Sequence, residues 1–186
     1  AVRERELEDL PGAFGALAKA FRQDPAADVS QELLAELERL SEAGGMWTRC
    51  VELLDAVAEE YQDEPGLSSA LVMRTARVHE VYLEDPTGAI DRYRRAMQID
   101  PGRVEILESL DGLFKREARW EDLADLLRLR VAETSDASDR VELLMRLGEL
   151  QETALERLDE AIEVYRQVLD DVAHHPPAID ALERLF

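Results

Sequence analysis

Few residues of this chain could do chemistry, and none has the company that chemistry needs. The single thiol, Cys50, would need a general base to act as a nucleophile, and no spacing supplies one. Cys50 stands where the second half of the chain has Leu123, which assigns it to a small buried position. His174 and His175 sit in a proline-containing connector, with no further ligands at metal-binding spacing. His79 is equivalent to Gln151, which points to packing or surface work. The 42 acidic residues could pair for acid–base catalysis, but at helical spacings they form a solvated face. No glycine loop of the phosphate-cradling kind occurs. Trp47 and Trp120 could stack a ligand, yet each is followed by leucines six and seven residues on, which favours core packing. We therefore expect no catalytic residue, no metal and no cofactor, and a chain that is not an enzyme.

The elements that position these residues are helical. Hydrophobic residues make up 46% of the 186, enough for a core, and Leu, Ala, Glu and Arg dominate. No β-branched run alternates with period two, so the expected fold class is all-α. With 22 basic residues the net charge is −20, which repels nucleic acid and anionic membrane surfaces, so neither is expected as a partner. No apolar run has the length of a membrane span, so direct insertion is not expected. One cysteine permits no intrachain disulfide. Ala1 in place of Met leads us to expect a fragment of a longer chain, or a processed or tag-trimmed start, and the cytoplasm is the compartment expected for this segment.

Ala89–Pro101 organises the rest. Ala89, Tyr93 and Ala96 fall on one helical face, and Asp100-Pro101 reads as a cap and first residue opening the next helix. A shift of 76 lays Gly12-Ala13, Ala20 and Asp24-Pro25 on Gly88-Ala89, Ala96 and Asp100-Pro101, predicting a first helix over about 10–23 with Ala13, Phe14, Leu17 and Ala20 on one face. A charged lead-in precedes it, and Asp28 with Gln31 reads as a capping box. A shift of 72 carries Met73-Arg74 to Met145-Arg146, Ala89-Ile90 to Ala161-Ile162 and Tyr93-Arg94 to Tyr165-Arg166. A shift of 73 lays Trp47 on Trp120. Each 72-residue block holds four helices, so the unit is a hairpin of about 36 residues. Hairpins are expected to begin near 28, 66, 102, 138 and 176, after the lone helix, giving about nine or ten helices in one repeat domain over 1–186.

The spacing Ala-x3-aromatic-x2-Ala-x4-Pro of Ala89–Pro101 resembles the second helix of a tetratricopeptide repeat. Leu147-Gly148 is similar to that family's Leu-Gly pair in the first helix, and Ala161 and Tyr165 to its small and aromatic positions. Val168 and His175-Pro176-Pro177 depart from the pattern, as do Cys50 and Leu123 where a small residue belongs. The resemblance implies a right-handed α-solenoid, a superhelix of antiparallel hairpins whose first helices line a concave groove for a protein or peptide. That groove would carry Met73, Arg77, Glu80, Glu105, Glu108, Lys115, Glu142, Met145, Glu149 and Glu152, with Glu38 at its margin. Relatives that clamp a chaperone's C-terminal carboxylate use lysine and asparagine there, whereas this chain has no Asn. The expected function is a protein–protein interaction scaffold with an acidic groove for a basic partner. The alternative is a structural spacer or self-association segment of a longer array. Ile179, Leu182, Leu185 and Phe186 would form an apolar strip for self-association through the C-terminal helix.

Overall fold

A computed structural model describes residues 9–26 and 28–186, the side chains of 28–30 excepted. The expected lead-in over 1–9 lies outside the described residues except for Asp9, and so does the Asp28 side chain on which the expected capping box rests. Among the described residues there are ten α-helices and no strand. They are α1 (Leu10–Gln23), α2 (Asp28–Gly44), α3 (Trp47–Glu60), α4 (Pro65–Val81) and α5 (Pro86–Ile99), followed by α6 (Val104–Arg116), α7 (Trp120–Glu133), α8 (Ala137–Thr153), α9 (Leu158–Asp171) and α10 (Pro176–Leu185). The chain divides into two compact units, one ending at Ser109 and one beginning at Leu110.

In the first unit the α4–α5 hairpin carries the organising stretch. The Asp85 carboxylate accepts from the Gly88 N–H at 2.9 Å, and Pro86 fills the first helical position, where no N–H is needed. Ala89, Ile90, Tyr93 and Ala96 are buried on α5, and Leu71, Val72, Thr75, Ala76 and Val78 on α4, which packs against it. Fully burying each large apolar side chain contributes about 1.5–3 kcal/mol. Ser68, buried on α4, donates to the Ala58 carbonyl at 2.9 Å and ties the hairpin to α3.

The second unit repeats this with α8 and α9. Ala161, Val164, Tyr165 and Val168 are buried on α9, and Leu144, Leu147, Gly148 and Gln151 on α8. A Cβ on Gly148 would lie 2.5 Å from the Tyr165 ring, so glycine is what admits the aromatic residue there. Ala181 of α10 joins Ala161 and Tyr165 in one cluster.

Positive-φ residues recur in the turns within hairpins. Gly45 (φ 62) ends α2, and Glu84 (φ 50), Ala118 (φ 52) and Glu156 (φ 54) occupy the α4–α5, α6–α7 and α8–α9 turns. The following N–H returns to the helix end, Asp85 to the His79 carbonyl at 2.9 Å and Arg157 to the Gln151 carbonyl at 2.7 Å. Glu84 and Glu156 are related by the same shift of 72, so the repeat extends to the backbone.

Two expectations change. Asp100 ends α5 instead of capping α6: Pro101-Gly102 forms a turn and α6 starts at Val104, because Asp100 takes up the α5 C-cap, its N–H on the Ala96 carbonyl. In α1, Phe14 and Phe21 are buried, but Ala13 and Ala20 are exposed. The capping of Gly12 by Asp9 copies that of Gly88 by Asp85. The packing is not copied, since among the described residues α1 packs mainly on α2 and does not meet a counterpart of α4.

Candidate partner-binding site

The arginines explain how the hairpins are cross-linked. Arg74 holds Glu38 through Nε and an Nη at 2.5 and 2.9 Å, 36 positions apart. Arg95 reaches Glu59 at 2.6 Å and Arg157 reaches Glu121 at 2.5 Å, also 36 apart. Arg92 reaches Asp55 at 2.9 Å, and Arg146 bonds Asp111. Each pair spans about one hairpin, and Arg74–Glu38 and Arg146–Asp111 occupy equivalent places in the two units. In Arg74–Glu38 and Arg157–Glu121 the pairing is bidentate, which the planar guanidinium fork permits and lysine does not. Burial opposes ionisation of Asp111, but Lys115 and Arg146 outweigh it and lower its carboxyl below the usual range.

A cavity of about 520 Å³ lies in the first unit. Its wall comprises Glu38 of α2, Ala70, Met73, Arg74, Arg77 and Val78 of α4, Tyr82 of the following turn, Tyr93 of α5, and Arg103 with Ser109. Met73 and Arg77 are thus placed together. Arg74, Tyr82, Tyr93, Arg103 and Ser109 are functional candidates that sequence reasoning passed over. The signal for Arg74 is an opposite charge one hairpin earlier, at Glu38. Arg103 carries no such signal.

The other groove candidates have varied settings. Glu80 is half-buried and accepts from the Tyr93 hydroxyl at 3.4 Å. Burial, with a smaller contribution from the Glu80 charge, raises the Tyr93 pKa. Glu105 is exposed and lies 3.5 Å from Arg103. Lys115 is committed to Asp111 at 2.7 Å. In the second unit, Met145 packs on the Ala161–Tyr165 cluster. Glu152 accepts from Arg184 at 2.8 Å and from the Tyr165 hydroxyl at 3.0 Å. That repeats Tyr93–Glu80 at a shift of 72. Glu142 faces a smaller cavity of about 240 Å³ with Arg130, Asp139 and Arg146. Glu108, Glu142 and Glu149 are exposed and have no ion pair among the described residues.

The reactive candidates have separate settings. Cys50 is fully buried and its thiol is pushed up to about 11, chiefly by burial, so it is protonated at neutral pH. His79 Nδ1 lies 2.9 Å from the Asp85 carboxylate. His175 caps α10, its Nδ1 accepting from the Ala178 N–H at 3.3 Å, and His174 is exposed. Among the described residues no group of three or more His, Cys, Asp or Glu could hold a metal ion, and no helix is long and apolar enough to cross a membrane. Trp47 is buried and stacks on Tyr82, centroids 3.8 Å apart, whereas Trp120 is only half-buried. Ala154 occupies the position equivalent to Tyr82, so the second repeat has no ring there to stack. Phe186 is exposed, with the Arg166 guanidinium 5.8 Å from its ring centroid.

No family profile matches this chain, and no curated protein matches it. Among solved structures, it is similar to MamA (TM-score 0.47, 16% identity, covering 91% of this chain and 86% of that one). It is similar also to a putative kinesin light chain of Podosopora anserina with TPR-like repeats (TM-score 0.44, 19% identity, covering 82% of each). A thermophilic TPR protein from Thermus thermophilus is similar at a TM-score of 0.39 and 16% identity, covering 99% of this chain and 94% of that one. The likeness is one of helical-hairpin architecture, and that architecture rests here on the chain's own helices and repeated contacts.

Proposed function

We propose that this chain is a non-catalytic scaffold that binds a partner protein or peptide, with a preference for basic segments. The observation that carries the reading is the exposure of Glu108, Glu142 and Glu149 with no internal ion pair among the described residues, on a chain of net charge −20. Pairing these carboxylates internally would have contributed to stability; left open, they are available to Lys or Arg from outside. Glu105 adds to them, since its 3.5 Å contact with Arg103 is long and exposed. Exposed charges of this kind act through a screened field, which at ~0.15 M salt reaches only about 8 Å.

The test is binding of a Lys/Arg-rich peptide with an apolar anchor, measured by fluorescence anisotropy across a salt series. The reading expects affinity to fall steeply with salt and to be lost in the double variant Glu105→Lys with Glu108→Lys or in Glu142→Lys with Glu149→Lys. Binding that ignores salt and survives both double variants would leave the chain as a spacer whose acidic residues serve solubility.

A further inference from the structure

The charge of the first unit's cavity has the opposite sign to that of the protein. Its wall holds three guanidinium groups, Arg74, Arg77 and Arg103, against one carboxylate, Glu38. That carboxylate is already held by Arg74 through two short bonds, so the pair contributes little net field. Arg77 is exposed and has no carboxylate partner among the described residues. Among the described residues the one carboxylate near Arg103 is Glu105 at 3.5 Å, an exposed contact that a better-placed carboxylate can displace. Two guanidinium groups are therefore open to an anion. Beside them stand Met73, Val78 and the Tyr82 ring, which is fixed by stacking on Trp47 at 16° between planes yet remains 45% exposed. A ring held in that way costs little further ordering when a ligand packs against it.

We propose that this cavity is a subsite for an acidic peptide segment, taking a Glu or Asp carboxylate on Arg77 and Arg103 and an adjacent apolar side chain against Met73 and Tyr82. The volume of about 520 Å³ suits a few residues of extended chain. Guanidinium matches carboxylate by parallel N–H donors, so the geometry selects an anion over a cation at this spot. A basic side chain would meet like charge there. A short segment with one or two carboxylates enters because the remaining acidic surface is screened beyond about 8 Å at ~0.15 M salt. A polyanion such as nucleic acid would spread its charge over that acidic surface. The proposal goes beyond the basic-partner reading and does not depend on it, since the two involve side chains of opposite sign.

The probe is the acetylated, amidated peptide Gly-Glu-Leu-Glu-Leu-Gly, titrated calorimetrically into the whole chain, with its Lys-for-Glu counterpart and free glutarate as comparisons. The proposal expects binding of the Glu peptide, no binding of the Lys peptide in this cavity, and weaker binding of glutarate. Arg77→Gln and Arg103→Gln should each weaken the Glu peptide about tenfold, as loss of one charge-assisted bond does. Arg166→Gln in the second unit should leave it unchanged. Both variants replace partly or fully exposed side chains, and unchanged circular dichroism and melting temperature would show that the fold persists. Equal affinity of wild type, Arg77→Gln and Arg103→Gln would overturn the proposal. So would absence of binding at millimolar peptide, or glutarate binding as tightly as the peptide, which would make the site one for small dicarboxylates. The basic-partner reading fails through the glutamate variants and this proposal through the arginine variants, so the two failures are distinguishable.

Discussion

Replacing Gly148 with Ala sets two effects of known size against each other. In the middle of α8 the exchange removes the conformational cost of glycine, a gain of about 0.8–1 kcal/mol. Against this, the new methyl would sit 2.5, 2.8 and 2.9 Å from three atoms of the Tyr165 ring, about 1 Å inside ordinary contact. The ring cannot swing away cheaply. It is 1% exposed, and its hydroxyl is held by Glu152 at 3.0 Å, which Arg184 grips in turn at 2.8 Å. Overpacking of this sort costs about 1–3 kcal/mol. The net expectation is destabilisation by about 1 kcal/mol. Urea unfolding followed by Trp120 fluorescence in a Trp47→Phe background reads the second unit directly, with far-ultraviolet circular dichroism as the check on cooperativity. Ala76 occupies the equivalent position of the first unit and is buried, so Ala76→Gly should also destabilise, by about 1–2 kcal/mol. A Gly148→Ala protein more stable than the original would refute the expected destabilisation, since it would mean that the ring yields and only helix propensity counts.

Cys50 should resist thiol reagents in the native state at pH 7–8 and react only on unfolding, because burial pushes its thiol up to about 11; rapid native-state labelling would contradict the packing around α3. Acid should destabilise the α4–α5 hairpin through Asp85. Its pKa is lowered first by the Gly88 N–H and then by His79, so its contribution is present above the unfolded carboxyl value of about 3.9 and is lost as pH falls through the lower folded value. The group is about half exposed, so the effect is small, and Asp85→Asn should flatten stability over roughly pH 4 to 3 while keeping the cap. A slope unchanged in Asp85→Asn would assign the acid sensitivity to other carboxylates, with Asp111 the next to test.

Some of the candidate site was legible only in part. Met73 and Arg77 follow from helical phase, since both lie on one face of α4, and they do line the cavity. Met145 follows from the same phase by the 72-residue shift, yet it packs on Tyr165, because α10 supplies Ala181, Leu182 and Leu185 around it. Glu80 and Glu152 read as groove acids, but each accepts from a tyrosine hydroxyl 13 positions on. A linear pattern records which face a residue occupies. It does not record which donor the next helix brings to that face.

What the sequence alone determined is local or periodic. The all-α class follows from composition, the buried faces of α5 and α9 from Ala and Tyr at helical spacing, and the likeness of the two hairpins from the 72-residue shift. These signals survive without coordinates because backbone geometry repeats every 3.6 residues wherever a helix forms. Tertiary structure alone decided the rest. No residue type announces positive φ at Glu84, Ala118 and Glu156, where hairpin closure overrides the preference of side-chain-bearing residues. Nor does a net charge of −20 disclose a cavity with three guanidinium groups, because Arg74, Arg77 and Arg103 line one cavity with Glu38 only when α2, α4 and the segment before α6 come together. Total charge sums over the chain, while a ligand feels only the groups within a screening length of where it binds.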